Sequence, residues 1–156
     1  MLKKKILCTI CARKGSKGLK NKNLLKLLNK PLIIHTLDQA KKIKAITKIV
    51  VSSNSKKILE ISKRKADFCL IRPEKLSDDY SSKVDAIKHA LLKSETFFNT
   101  VFDLVIDLDI TSPLRNVSDI KNALKYFSKT ESDNLISACP SKKNPYFNMV
   151  EIINGK

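Results

Sequence analysis

The first segment whose residues could take part in binding or catalysis is a short basic loop that contains two glycines. Residues 13–23 read Arg-Lys-Gly-Ser-Lys-Gly-Leu-Lys-Asn-Lys-Asn and follow a run of apolar residues. Glycine lets a backbone approach a ligand closely and expose its N–H groups, and Arg13, Lys17 and Lys22 add positive charge. Such a loop would cradle a triphosphate and offset the charge that develops at phosphorus. It matches neither the G-x-x-x-x-G-K-[ST] phosphate loop nor the G-x-G-x-x-G dinucleotide fingerprint.

Two carboxylates stand at the end of a second apolar run, residues 102–108. Asp107 and Asp109 are two residues apart and would therefore project from the same face of a strand. A carboxylate at the end of a central strand is well placed to hold Mg²⁺ beside phosphates. We expect Asp109 to lie on the metal side and Asp107 to lie deeper. The alternative is that one of them caps the following turn.

Arginine is rare in this chain, which contains 27 Lys and only four Arg: Arg13, Arg64, Arg72 and Arg115. Arginine grips a phosphate or carboxylate through two parallel hydrogen bonds, and lysine does not. Arg72 follows a short predicted strand and precedes Pro73, so we expect it to face a ligand. The alternative is a surface salt bridge, which would stabilise the protein little.

The cysteines and histidines form no recognisable site in the sequence. Cys8 and Cys11 have C-x-x-C spacing, but no second close pair and no histidine cluster accompany them. Residues three apart on a strand also point to opposite faces. We interpret all four cysteines as small buried residues of a protein from a reducing compartment. His35 and His89 lie within helical patterns and are interpreted as packing or surface residues.

The 156-residue chain is long enough for one domain with a substantial core. It has no run of about 18 apolar residues, and its early apolar run is too short for a signal peptide, so we expect a cytoplasmic protein without a membrane span. Residues 1–65 carry 19 Lys or Arg against two acids, whereas residues 66–156 carry 12 against 13. This excess can indicate nucleic-acid binding, but aromatic residues are not interleaved with it. A solvated surface plus a phosphate-binding loop explains it better.

Strand and helix patterns alternate along the chain. Strands are predicted at residues 5–12, 48–53, 67–71 and 102–108, and helices at 31–44, 55–65, 83–93 and 116–128. Two late strands are predicted at 134–138 and 148–153. The order favours an α/β fold with a mostly parallel central sheet and helices on both faces. Ligands of such sheets bind beyond the carboxyl ends of the strands, which selects the loops after Ala12, Ser53, Ile71 and Asp109.

Together these segments resemble the acylneuraminate cytidylyltransferase family, the CMP-sialic acid synthetases. The family's A-R-x-x-S-K-G motif and the K-N that follows it stand here at residues 12–18 and 22–23. Its R-P-x-x-L-x-x-D segment stands at 72–79, its T-S-P-L-R motif at 111–115 and an S-A-C-P run at 137–140. Several motifs in the family's order make the resemblance specific.

The resemblance implies a Rossmann-like fold of the nucleotide-diphospho-sugar transferase type, with one catalytic domain over residues 1–156. It implies that the hydroxyl of a nonulosonic, sialic-acid-like sugar acid attacks the α-phosphorus of CTP, with Mg²⁺ as cofactor. The residues implied as catalytic are Arg13, Lys17 and Lys22, and Asp109 is the candidate metal ligand. The implied CTP contacts are Ala12, Arg13, Ser16, Lys17, Lys22, Asn23, Asn54 and Arg72.

Three departures from the family pattern bear on this expectation. Asp109 stands where many sialic-acid members have Gln, and the Asp-x-Asp form resembles members that use legionaminic acid. Asn54 replaces a usual Asp. Members also continue beyond the position of Lys156 with a part that supplies metal-binding aspartates and the arm of a homodimer, so we expect that part to be missing here. Another sugar nucleotidyltransferase of the same fold, or an inactive or nucleic-acid-binding basic fragment, remain alternatives.

Overall fold

The computed structural model of this chain describes residues 4–15, 19, 21–78, 80–140 and 143. The chain divides into two compact units, Met1–Lys121 and Asn122–Lys156. The elements are, in order, β1 (Ile6–Ala12), β2 (Lys26–Leu27), β3 (Lys30–Pro31), α1 (Leu32–Lys41), β4 (Ile46–Ser53), α2 (Lys56–Ser62), β5 (Phe68–Ile71), α3 (Lys83–Phe98), β6 (Leu104–Asp107) and α4 (Val117–Phe127). All of them except the end of α4 belong to the first unit.

Four parallel strands form the sheet of the first unit, in the order β5-β4-β1-β6. Their apolar, β-branched sequences suit strands that are buried on both faces. The register pairs Ala12 with Ser53 and Ser53 with Ile71, and it pairs Thr9 with Asp107. The loops that follow these strands therefore leave from one edge of the sheet, which we call the carboxyl edge. This is the edge at which parallel α/β sheets bind ligands.

Helices cover both faces of this sheet. On one face, Leu7 and Val50 pack with Ala90 of α3 in a buried cluster. The residues Ile10 and Val51 point to the opposite face of the same strands and are also fully buried. The helices α1 and α2, which contact these strands and each other, provide that second cover. The predicted α/β fold with a mostly parallel sheet is confirmed.

A small hairpin that we did not predict from the sequence lies between the first loop and α1. The strands β2 and β3 pair antiparallel, and the two turn residues Leu28 and Asn29 both have positive φ, 46° and 63°. Two positive φ values characterise a type I′ turn. The His35 Nε2–H donates to the carbonyl oxygen of Leu27 over 2.8 Å, which ties the hairpin to α1. This contact agrees with the packing role expected of His35.

The second unit, Asn122–Lys156, contains the last residues of α4 and, in its described part, no strand. The strand predicted at 134–138 is therefore wrong. That segment has no regular structure, and Ile136 is 82% exposed. An extended segment needs a partner strand for its backbone hydrogen bonds, and an apolar pattern alone does not supply one. The strand predicted at 148–153 lies outside the described residues.

The cysteines differ in burial more than expected. Cys8 is buried, Cys11 and Cys69 are half-buried, and Cys139 is exposed, so the expectation of burial is wrong for Cys139. Burial raises the pKa of the Cys11 thiol to about 12, with the charge of Asp107 acting in the same direction. Cys11 is thus a protonated thiol at neutral pH. No helix in the described ranges has the length and apolar character needed to span a bilayer.

Candidate active site

An open cleft of about 370 Å³ lies at the carboxyl edge of the sheet. Its volume falls in the range of small-molecule sites. Four segments form its walls: the loop after β1, the loop between β5 and α3, the first turn of α3 and the loop after β6. Residues of these segments that line the cleft include Arg13, Lys22, Arg72, Lys83, Asp109 and Thr111. The cleft therefore collects residues that are far apart in the sequence.

The loop after β1 forms one wall of the cleft. A Cβ added at Gly15 would meet no atom within 4 Å, so the backbone there lies open to a ligand. Arg13 and Lys22 line the same wall. Ser16 and Lys17, which were predicted to contact CTP, lie outside the described residues. The described part of this wall is thus cationic and has an accessible backbone.

Two asparagines hold this loop in place. The Nδ2 of Asn23 donates to the carbonyl oxygen of Arg13 over 3.2 Å. The backbone N–H of Lys14 donates to Oδ1 of Asn54 over 2.8 Å, and Asn54 Nδ2 donates in turn to Glu74 over 3.1 Å. Asn23 also lines the cleft, whereas the lining does not include Asn54. Asn54 therefore joins the loop after β1 to the loop after β5.

Ala12 ends β1 directly before this wall. The whole residue is 1% exposed and packs in the core, and it is not among the residues that line the cleft. The contact of Ala12 with CTP stays a prediction.

Arg72 is a buried cation at the floor of the cleft. It is 6% exposed, its Nε donates to Ser52 Oγ over 3.1 Å, and its Nη2 donates to the Ser52 carbonyl oxygen over 2.7 Å. Burial lowers the pKa of Arg72, with Cys11 and Asp107 acting in the opposite direction. The alternative of a surface salt bridge is wrong, because Arg72 is buried and no carboxylate in the described ranges forms an ion pair with it. A buried charge without a counter-ion is costly, so an anionic or polar ligand in the cleft would stabilise it.

Lys83 joins the two carboxylates at the wall formed by α3 and the loop after β6. Its ammonium lies 2.7 Å from Asp107 Oδ2 and 2.6 Å from Asp109 Oδ1. Asp107 Oδ1 also accepts a hydrogen bond from Thr9 Oγ1 over 2.7 Å. The side chain of Asp107 is 16% exposed and that of Asp109 is 58% exposed. Asp107 therefore lies deeper, as expected, and both carboxylates are engaged by Lys83 rather than by the backbone of the turn.

Arg115 folds the loop that carries Asp109. Its Nη2 donates to the carbonyl oxygens of Asp109 and Ser112. The loop is fixed from outside by Gln39 of α1, whose Nε2 donates to the carbonyl oxygens of Pro113 and Arg115 over 2.8 and 2.6 Å. Burial lowers the pKa of Arg115, and Asp109 is the largest opposing influence. The T-S-P-L-R segment thus has a structural role in positioning Asp109.

Comparison with known proteins identifies the family of this chain. A sequence profile of the cytidylyltransferase family matches residues 7–154. The chain belongs to the cytidylyltransferase family. The resemblance drawn from the sequence motifs is confirmed.

Two curated relatives and one solved structure are similar to this chain. It is 43% identical to CMP-N,N'-diacetyllegionaminic acid synthase of Campylobacter jejuni over 152 residues, which cover 97% of this chain and 65% of the relative. It is 38% identical to N-acylneuraminate cytidylyltransferase of Streptococcus agalactiae over 143 residues, covering 90% of this chain and 33% of the relative. Its fold is similar to CMP:2-keto-3-deoxy-manno-octonic acid synthetase complexed with CTP, with a TM-score of 0.64, 21% identity and coverage of 80% of this chain and 48% of that one. The chain thus spans less than the full length of each.

The cleft has a donor set whose chemistry suits a divalent cation. Asp107 and Asp109 direct carboxylate oxygens to one point, and Mg²⁺ usually binds through one or two carboxylates and several waters. The ammonium of Lys83 holds that point, so a metal ion must displace it to bind there. Among the described residues, no three His, Cys, Asp or Glu side chains are grouped as a complete metal site. The metal role of Asp109 stays a prediction.

Lys83 is the site residue that we did not identify from the sequence. It is the first residue of α3, after Ser82, whose Oγ accepts from the Val84 N–H over 3.1 Å. A lysine is electrostatically unfavourable at this end of a helix, and that was the available signal. Burial alone would lower the pKa of Lys83, but Asp107 and Asp109 outweigh it and raise that pKa above its ordinary value. The ammonium is therefore firmly charged at neutral pH.

Proposed function

We propose that this protein transfers CMP from CTP to a nonulosonic, sialic-acid-like sugar acid and releases pyrophosphate. The observation that carries the proposal is the buried Arg72, which has no described carboxylate partner and shares one cleft with Arg13 and Lys22. A cytidylyltransferase needs cations of this kind around a triphosphate. The names of the two curated relatives, a CMP-diacetyllegionaminic acid synthase and an N-acylneuraminate cytidylyltransferase, support the sugar-acid class.

The wall formed by the loop after β1 would bind the triphosphate. Arg13 and Lys22 line this wall, and Lys17 belongs to the same loop. Their charges would offset the negative charge that grows on the leaving pyrophosphate. Because the charges are already in place, no reorganisation is needed when the bond breaks. The open backbone at Gly15 adds N–H donors within reach of phosphate oxygens.

The floor of the cleft would bind the nucleoside part of CTP. The bonds from Arg72 to Ser52 use Nε and Nη2, which leaves Nη1 to face the nucleotide. Ala12, Ser16 and Asn23 lie in the same region of the sequence and would contact CTP through backbone or side chain. Asn54 would act on CTP indirectly, because its amide bonds to the backbone of Lys14.

The wall formed by α3 and the loop after β6 would receive the sugar acid. The attacking hydroxyl must approach the α-phosphorus from the side opposite to the pyrophosphate, and residues of this wall line the same cleft as the basic loop. A bound Mg²⁺ would supply neutralisation of phosphate charge. Asp109 is the residue expected to hold it, with Asp107 behind. A homodimer of the full-length form, which the family resemblance implies, and the cytoplasmic location expected from the sequence complete the proposal.

A thermal-shift panel tests the nucleotide preference. CTP, ATP, GTP, UTP and a DNA oligomer are each added with Mg²⁺ to the parent chain and to Arg64→Lys, a control at an exposed position outside the cleft. A ligand at about 100 times its Kd stabilises the native state by about 2.7 kcal/mol. We expect CTP to give the largest shift in both proteins. A larger shift with another nucleotide would favour a different sugar nucleotidyltransferase, and a salt-sensitive shift with DNA alone would favour nucleic-acid binding.

An assay of pyrophosphate release tests the acceptor. CTP and Mg²⁺ are combined with sialic, diacetyllegionaminic or pseudaminic acid, or with the eight-carbon acid KDO, in a full-length context. We expect a nine-carbon acid to give CMP-sugar and pyrophosphate in equal amounts. Turnover with KDO alone would contradict the proposed substrate class.

A further inference from the structure

We propose that Lys83 is an exchangeable counter-ion of Asp107 and Asp109, which must leave the point between them before a divalent cation can bind there. The proposal deepens the proposed function and rests on it for the arrival of a metal-bound triphosphate. In this proposal Lys83 is a positioning residue. Its side chain keeps the two carboxylates together and prevents free metal ions from binding to them.

The geometry of the three side chains carries this inference. Both carboxylates touch the same nitrogen atom, at 2.7 and 2.6 Å, so their oxygens are no farther apart than the sum of these distances. Asp107 is held from behind by Thr9, whose hydroxyl donates to its other oxygen over 2.7 Å. The Asp109 backbone is held by Arg115. The two acids are thus fixed in a convergent arrangement that two unpaired carboxylates would avoid, because like charges repel.

The position of Lys83 in its helix is also unusual for a lysine. Lys83 stands at the first position of α3, where the helix dipole opposes a positive charge. Its side chain is 46% exposed in the cleft, so it can swing away without disturbing the core. A lysine placed there is therefore held mainly by the two carboxylates. If a divalent cation took the carboxylates, the ammonium would be free to turn to an anion in the cleft.

A metal-bound triphosphate would bring a new partner for the two carboxylates and a new partner for the ammonium of Lys83 at the same time. The metal offers the carboxylates a stronger cation, and the phosphates offer the ammonium a new partner. A metal ion without nucleotide offers a partner to the carboxylates only, and the positive charge of the Lys83 ammonium repels it. Lys83 would therefore make metal binding depend on the presence of the nucleotide.

A titration with Mn²⁺ in the absence of nucleotide tests the inference. Free Mn²⁺ is followed by electron paramagnetic resonance in the parent chain, Lys83→Met, Lys83→Gln and Lys83→Arg. Lys88→Met removes an exposed lysine from the same helix outside the cleft and serves as the matched control. Removing a unit charge about 4 Å from a divalent ion strengthens its binding by about thirtyfold even at the dielectric constant of water. Circular dichroism checks that each variant is folded.

We expect Lys83→Met and Lys83→Gln to bind Mn²⁺ about thirtyfold more tightly than the parent, and Lys83→Arg and Lys88→Met to bind like the parent. Adding Asp109→Asn to Lys83→Met should abolish the gain. Equal affinity of Lys83→Met, Lys83→Gln and the parent would overturn the inference, as would a gain that survives Asp109→Asn. These results are independent of CTP, so a failed nucleotide panel would refute the proposed function and leave this titration interpretable.

Discussion

Replacement of Arg72 by lysine separates the two tasks that its guanidinium performs. The side chain is buried, and it bonds to both Oγ and the carbonyl oxygen of Ser52, at 3.1 and 2.7 Å. Lysine keeps the charge but has no planar fork. Its ammonium is a single nitrogen on a shorter side chain, so it cannot reproduce the fixed geometry in which Nε and Nη2 meet both oxygens of Ser52 while another nitrogen remains for the cleft. Arg72→Lys should therefore weaken both the fold and the binding of CTP.

The size of each effect follows from the lost bonds. One buried acceptor that loses its partner costs about 1–3 kcal/mol of unfolding free energy. For a domain of this size, each kcal/mol lowers Tm by about 2–4 °C. A lost hydrogen bond from the guanidinium to CTP would cost about 1.5–3 kcal/mol, which is roughly ten- to hundredfold in Kd.

Two measurements on four proteins distinguish these effects. Urea unfolding gives stability, and calorimetric titration gives the Kd for CTP, for the parent, Arg72→Lys, Ser52→Ala and Arg64→Lys. Ser52→Ala removes only the Oγ acceptor, so it should lower stability and leave the Kd for CTP within a few-fold. Arg64→Lys makes the same exchange at an exposed position and should change neither quantity.

The decisive result is the Kd of Arg72→Lys. If this variant loses stability as Ser52→Ala does but binds CTP like the parent, Arg72 is a structural residue and its predicted contact with the nucleotide is wrong. If it loses neither stability nor affinity, the two bonds to Ser52 contribute nothing and the reasoning from burial fails as well.

Three further predictions follow from the same site and from the surface of α1. Arg13→Ala and Lys17→Ala should each lower kcat/KM for CTP by about 10²-fold in a full-length context. Lys57→Ala, at an exposed position outside the cleft, should not lower it. Equal activity of all three variants would show that the loop has no part in the mechanism. Asp109→Asn should raise the Mg²⁺ concentration needed for turnover while circular dichroism stays unchanged, and superimposable Mg²⁺ titrations would contradict the metal role. Burial alone would raise the pKa of Asp38, but Lys65 and Lys30 outweigh it and hold that pKa below its ordinary value. The stabilisation by these ion pairs is therefore present above the unfolded-state pKa of about 3.9 and is lost as pH falls through the lower folded-state pKa. Asp38→Asn should cost about 0.2–1 kcal/mol at pH 7 and less near pH 2; equal losses in urea unfolding at both pH values would refute this assignment.

The order of strands and helices could be predicted because each buried parallel strand is a continuous apolar run, as in residues 6–12. Element ends were less predictable. The helix predicted at 83–93 continues to Phe98, because Phe97 stacks on Phe68 with ring centroids 4.2 Å apart. That tertiary contact holds residues with ordinary strand preference in a helix. The hairpin at 26–31 lacks a glycine, so its turn had no visible signal.

The sequence motifs predicted several residues of the cleft. They did not predict a residue whose position depends on a single tertiary contact. Arg13, Lys22 and Arg72 lie together because the loops that carry them leave from one edge of the sheet. The position of Lys83 between two carboxylates depends on how the first turn of α3 meets the loop after β6, which no local pattern encodes. Its distance in sequence from Asp109 is 26 residues, and only the fold brings the two together.

The charges of the cleft fit a reaction between two anions, which is what the proposed function requires. A triphosphate and a sugar acid repel each other, so the cleft must accept both anions, each at its own wall. The wall with Arg13 and Lys22 is cationic and suits the triphosphate. The wall formed by α3 and the loop after β6 places two carboxylates where an acidic sugar would meet them, and this arrangement is tolerable only with a cation between them. Lys83 supplies that cation in the free protein, and a divalent metal would supply it when the nucleotide is bound. A cleft that always keeps a cation at this point can therefore contain Asp109 and still accept a negatively charged acceptor.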